Sequence, residues 1–109
     1  MLTRFEFSTA QRIVFGSGAA GEAAGLAAGM GRRPMVVTGR DASRHGWLLD
    51  RLADGGTPAL GYAFQGEPAV EEVREGARMA QEAKIDLIIA IGGGSALDGG
   101  KAIAAMAQN

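Results

Sequence analysis

The residues best placed to do chemistry are Gly92-Gly93-Gly94-Ser95-Ala96-Leu97-Asp98-Gly99-Gly100-Lys101. They follow Leu87-Ile88-Ile89-Ala90-Ile91, a continuous apolar run typical of a parallel strand covered on both faces. They lead straight into a helical pattern over residues 95–108. Ligands usually meet an open α/β sheet at the carboxyl ends of its strands. Consecutive glycines let a ligand approach the backbone, and the N–H groups of a helix start attract an anion. Ser95 adds a hydroxyl donor. Phosphate binding is the chemistry expected of Gly92, Gly93, Gly94 and Ser95. Asp98 and Lys101 occupy neighbouring positions on one helical face. For Asp98 two readings stand side by side: contact with a ligand, or the far half of a Ser95-x-x-Asp98 capping box that only satisfies the helix start.

A second glycine motif, Gly16-Ser17-Gly18-Ala19-Ala20-Gly21, matches the dinucleotide fingerprint letter for letter. Asp41 follows about twenty residues later, near where an acidic ribose ligand is sought. Two features weaken it. The strand before it reads as part of a hairpin, and Asp41 lies beyond Gly39 and Arg40 in a loop. A tight turn with close helix packing is the favoured reading of these glycines.

The elements that must position these residues follow from composition and periodicity. The 109 residues fit one domain, 47% hydrophobic and 21% charged, the balance of a packed globular chain. Eleven basic against 12 acidic residues leave a net charge of −1, so no basic stripe is available for nucleic acid. The absence of cysteine excludes disulfides, thiolate nucleophiles and Cys-based metal clusters. One histidine, His45, is too few for a His-rich metal site and reads as a surface-loop residue. No apolar run is long enough to span a bilayer, and the first residues lack a signal-peptide core, so a cytoplasmic location and no membrane partner are expected.

Met35-Val36-Val37-Thr38, residues 59–64 and Leu87–Ile91 read as strands. Between them, Leu48, Leu49 and Leu52 share one helical face. A second helix has Pro68 at its first position and an apolar stripe of Val70, Val73, Ala77 and Ala80. Residues 19–30 form a further Ala-rich helical pattern. Alternating strands and helices predict a Rossmann-like α/β domain, a parallel sheet with helices on both faces. The start differs: residues 4–7 and 12–15 are spaced for an N-terminal antiparallel β-hairpin. Met30, Met35, Met79 and Met106 are expected to fill the core, and Trp47, Phe5, Phe7 and Tyr62 to be packing or interface residues rather than stacking platforms for a nucleotide.

Four stretches together resemble one family. They are Ile13-Val14-Phe15-Gly16-Ser17-Gly18, Val36-Val37-Thr38-Gly39, Gly66-Glu67-Pro68, and above all the run from Ile91 through Ser95 with Asp98 and Lys101. In order and spacing they resemble the N-terminal nucleotide-binding region of the iron-containing alcohol dehydrogenases, metal-dependent relatives of glycerol dehydrogenase and dehydroquinate synthase. The resemblance implies that Gly93, Gly94 and Ser95 bind the cofactor pyrophosphate and that Asp98 lies beside its nicotinamide end. For Lys101 it leaves open an ion pair with Asp98 and a ligand contact.

It also implies an oxidoreductase passing hydride between an alcohol or aldehyde and nicotinamide. A divalent metal, iron or zinc, would polarise the alcohol oxygen in the full-length enzyme. The family draws its metal ligands, an aspartate and three histidines, from a helical C-terminal domain. None of them lies within residues 1–109, which are therefore expected to form an incomplete nucleotide-binding domain without activity of their own. No catalytic or metal-binding residue is assigned. NADP is expected in preference to NAD, because Gly39 stands where NAD-using relatives commonly carry Asp. Arg40 and Ser43, with Arg44, supply donors for a 2′-phosphate. The resemblance points further to a homodimer formed through the N-terminal hairpin, whose exposed edge invites strand addition. Two alternatives remain. A dehydroquinate-synthase-like lyase shares the triple glycine but usually carries a hydrophobic residue at position 95 and Gly near 101. The other is a non-catalytic nucleotide-binding or oligomerisation module.

Overall fold

The structure is a computed structural model that describes residues 2–6, 12–16, 33–40 and 42–107. The helix expected at 19–30 and the glycines at 18 and 21 lie outside the described residues, as do Phe7, Met30 and Asp41. Five strands form one sheet: β1 (Leu2–Glu6), β2 (Arg12–Gly16), β3 (Pro34–Thr38), β4 (Leu60–Ala63) and β5 (Leu87–Ile91), in the order β1-β2-β5-β3-β4. β1 and β2 are antiparallel; β2–β5, β5–β3 and β3–β4 are parallel. A short 3₁₀ turn, Ala42–His45, runs directly into α1 (Gly46–Asp54), and α2 (Val70–Glu82) and α3 (Gly94–Ala107) complete the described elements.

β2 does two things at once. It closes the antiparallel pair with β1, as its spacing predicts, and it also joins the parallel sheet beside β5, with Gly16 opposite Ile91. The first glycine motif thus starts at the same end of the sheet as the triple glycine.

The central strand β5 is buried along its whole length, which is why its sequence is continuous rather than alternating. On one face Ile88 and Ala90 pack with Met35, Val37 and Phe64 under Val73, Ala80, Ile103 and Ala104 of α2 and α3. On the other, Leu87, Ile89 and Ile91 pack with Val36 under Leu48 and Leu52 of α1. The two layers of helix make both faces of the sheet a core.

Two glycines of the signature are packing residues. A Cβ on Gly99 would fall within the ring of Phe64, and one on Gly100 would sit 2.8 Å from Ala90 Cβ. Helix α3 therefore lies against the sheet more closely than any side chain allows. Gly76 does the same between helices: a Cβ there would meet Ile103 Cδ1 at 2.5 Å and Tyr62 Cε2 at 3.1 Å.

Three expectations need correction. Pro68 does not open α2; the helix starts at Val70 and Val73 N–H bonds Ala69 O at 3.0 Å, so Pro68 precedes the cap. The Glu72 carboxylate reaches back to Ala69 N–H at 3.3 Å and satisfies a donor that proline lacks. Val70 is not part of the buried stripe but 61% exposed. It stands in the first turn, facing Gly94 and Ser95, which carry no bulk to cover it. Met106 is likewise exposed and lines the same groove.

Tyr62 ties β4 to α2. Its hydroxyl donates to Glu72 O at 2.6 Å, and its ring meets Phe64 edge-on at 5.4 Å. Burial, with Glu72 and Glu75 nearby, pushes the phenol above its ordinary pKa, so it remains a donor at neutral pH. Tyr62→Phe is expected to cost about 1 kcal/mol, or about 5 °C in Tm for a domain of this size, since it removes that hydrogen bond. Thermal melting checks it.

Candidate functional site

The carboxyl ends of β3 and β5 and the amino end of α3 converge at one place. The chain leaves β5 through Gly92, whose φ of +133° only glycine adopts readily. A Cβ there would also approach Ala96 Cβ at 3.4 Å and Gly39 N at 3.8 Å, so the turn runs close against the end of β3. Gly93 and Gly94 differ in kind. Neither has positive φ, and a Cβ on either would meet nothing within 4 Å. Nothing in the described packing requires glycine at these two positions. What their sequence achieves is bare backbone facing open space.

The Gly93 carbonyl accepts from Ala96 N–H at 3.1 Å and Leu97 N–H at 3.2 Å, so α3 starts from Gly93. The N–H groups of Gly94 and Ser95 then precede any intrahelical acceptor and point outward from the positive end of the helix dipole. Ser95 stands inside the first turn. The Ser95-x-x-Asp98 capping box would need Ser95 one position before the helix, and it does not form.

Two clefts meet over this helix start. The first, about 520 Å³, is lined by Gly39, Arg40, Arg44 and His45 on one side and by Gly92, Gly93 and Gly94 on the other. Its described lining carries two arginines and a histidine and no carboxylate. Arg40 is steered by its Nε, which donates to Gln65 O at 2.8 Å. Ser43 is exposed on the 3₁₀ turn and is not among the lining residues, whereas Arg44 and His45 are. His45 is thus a half-buried cleft residue rather than a surface-loop one. No sequence motif marks it; it ends the 3₁₀ turn that follows the loop after β3.

The second cleft, about 800 Å³, lies between the start of α2 and the length of α3, from Gly94 to Met106. It shares Gly94 and Ser95 with the first and has opposite character. Asp98 and Glu67 supply carboxylates, and Val70, Val73, Ala102 and Met106 supply apolar surface. Lys101 lines neither cleft. A basic cleft and an acidic, apolar cleft therefore adjoin at the bare helix start, where both are lined by Gly94 and Ser95. That arrangement of surfaces suits an elongated ligand with phosphates at its middle and a ring system at each end. The residues present fit a nicotinamide dinucleotide. For a metal they do not: among the described residues no three of His, Cys, Asp or Glu come together to hold one.

Comparison with known proteins places the chain. The model of the iron-containing alcohol dehydrogenase family matches residues 10–109. The NADPH-dependent aldehyde reductase YqhD of Escherichia coli is 32% identical over 112 residues, covering 98% of this chain and 28% of that protein. The NADH-dependent butanol dehydrogenase A of Clostridium acetobutylicum is 30% identical over 107 residues, covering 93% of this chain and 27% of that protein. Among solved structures, sulfoacetaldehyde reductase from Bifidobacterium kashiwanohense in complex with NAD+ superposes with a TM-score of 0.72 at 27% identity. That match covers 96% of this chain and 29% of the other. The iron-containing alcohol dehydrogenase of Thermococcus thioreducens superposes with a TM-score of 0.69 at 28% identity, over 94% of this chain and 28% of its own. The chain spans little more than a quarter of the length of the curated relatives it matches. It belongs to the iron-containing alcohol dehydrogenase family.

Proposed function

We propose that this chain is the nucleotide-binding part of an NAD(P)-dependent alcohol dehydrogenase or aldehyde reductase, and that it takes NADP in preference to NAD. The observation that carries this reading is the bare backbone of Gly93 and Gly94 at the head of α3, open to solvent for no packing reason. The bound cofactor supplies the hydride. This chain's own residues bind and orient it: the N–H groups of Gly94 and Ser95 hold the pyrophosphate, with the Ser95 hydroxyl as a further donor. Asp98, at the border of the acidic cleft, accepts hydrogen bonds from the nicotinamide half, and the apolar lining around it keeps that half away from water. No step is assigned to a metal, because its ligands are not among the described residues. Residues 1–109 alone are accordingly expected to turn over no short-chain alcohol with zinc or ferrous ion and either cofactor. Activity that persists through further purification overturns that expectation.

The preference for NADP rests on Gly39. A carboxylate at the end of this strand accepts from a free ribose 2′-hydroxyl and repels a 2′-phosphate. Here the position is empty to 4 Å around a Cβ, and Arg40 and Arg44 stand beside it. Gly39→Asp has room to fold and is expected to reverse the preference, with about tenfold loss of NADP affinity. Calorimetric titration of both cofactors on parent and variant checks it, and tighter NAD binding by the parent defeats it.

The same reading includes a homodimer. β1 ends the sheet, so its outer edge has no partner among the described strands and is open to strand addition by a second copy. A dimer is expected in sedimentation equilibrium, and a monomer at high concentration counts against it.

A further inference from the structure

His45 occupies the N-cap position of α1, where a side chain usually accepts from the helix start, yet it makes no cap hydrogen bond. No other hydrogen bond of its imidazole is found among the described residues. Its Nε2 instead lies 4.0 Å from where a Cβ of Gly92 would sit, so the ring is directed across the cleft toward the triple-glycine turn. The backbone at Gly92 is held close to Gly39. The imidazole therefore stands between the end of β3 and the bare helix start, on the wall of the basic cleft.

We propose that His45 is a binding residue for the cofactor pyrophosphate, donating through Nε2 to the phosphate on the adenosine side. This rests on the reading of the cleft as a dinucleotide site and adds to it a side-chain ligand carried by a different element. The backbone N–H groups of Gly94 and Ser95 approach the pyrophosphate from the α3 end, and the imidazole approaches from the α1 end. An imidazole carries a ring N–H in either protonation state, and the neutral ring serves an anion through Nε2 as its Nε2–H tautomer. The placement also accounts for a histidine at a cap position that it does not cap. Arg40, whose Nε donates to Gln65 O at 2.8 Å, lines the same cleft.

The test uses ADP-ribose, which carries the pyrophosphate between two riboses and no nicotinamide or 2′-phosphate. Its affinity is measured by calorimetry for the parent, His45→Leu, His45→Gln and Gly94→Val, with a thermal melt of each. His45→Leu is expected to lose about tenfold in affinity, the usual weight of one hydrogen bond to a charged group, with Tm unchanged. His45→Gln, which keeps a donor, should retain most of the affinity. Full affinity in His45→Leu overturns the proposal. Equal losses in both His45 variants also overturn it, since the shape of the wall rather than the donor would then matter. If the parent does not bind ADP-ribose, or Gly94→Val leaves binding intact, the dinucleotide reading of the cleft itself fails. Binding that falls in Gly94→Val but not in His45→Leu leaves that reading standing and removes only His45 from it.

Discussion

Gly94→Val is expected to lower dinucleotide affinity on the order of 100-fold, about 2.7 kcal/mol, while the protein stays folded. A Cβ at Gly94 meets nothing within 4 Å, so the fold has space for the new side chain. Replacing glycine in a first helical turn also removes some backbone entropy from the unfolded chain, so Tm should hold or rise slightly. The space that makes the substitution harmless to folding is the space that the proposed phosphate site needs. Branched bulk there blocks the approach to the N–H groups of Gly94 and Ser95, and a helix-start anion site has little else to offer. The informative companion is Gly18→Val in the other glycine motif. It is expected to affect stability more than affinity. Cofactor titration alongside thermal melting separates the two, and affinity lost only in a folded Gly18→Val variant reverses the assignment.

The second large effect has the opposite signature. Gly99→Val should cost about 3 kcal/mol or more and lower Tm by roughly 15 °C. In an exposed helix, glycine to a residue with a side chain would stabilise, by about 1 kcal/mol for alanine. Here the sign reverses, because the new Cβ would fall within the Phe64 ring. Phe64 is fully buried and cannot swing aside: Tyr62 holds its edge, and the signature helix covers its face. Gly99→Ala should show the same sign at smaller size. Combining it with Phe64→Leu should recover part of the loss, a coupling expected of residues in direct contact. Additive losses in that double variant would mean that α3 does not sit where its glycines place it. Both helix glycines are thus structural, although they stand inside a motif where Gly93 and Gly94 face open space.

Much of the architecture was open to reading from local pattern. Leu87–Ile91 declared itself a central strand through unbroken apolar character, and the structure buries every residue of it. The antiparallel start followed from the short spacing between residues 4–7 and 12–15, and strands β1 and β2 pair as that spacing requires. The triple glycine after a buried strand marked the helix start that opens onto both clefts.

Other features depended on what lies across the fold. Val70 shares the helical spacing of Val73 and Ala77, but periodicity records only which residues share a face, not whether a neighbour reaches them. At the mouth of the groove none does. Ser95 and Asp98 had the spacing of a capping box, and only the carbonyl of Gly93, accepting the first helical hydrogen bonds, shows that the helix starts two residues too early for it. His45 lay in no motif at all. It joins the cleft because α1 begins directly at the end of the 3₁₀ turn and brings its cap toward Gly92, a residue 47 positions away in the chain.

Local sequence by itself determined most of the described elements, the burial of the central strand and the bare turn that leads into α3. Each depends on residues that are neighbours along the chain: apolar runs, turn formers and the N–H groups of one helix start. Only tertiary structure decided which glycines face solvent and which face Phe64, because a missing side chain looks the same in sequence whether it admits a ligand or a neighbouring ring. The contacts that tell these cases apart join residues far apart in the chain, and packing alone brings them together.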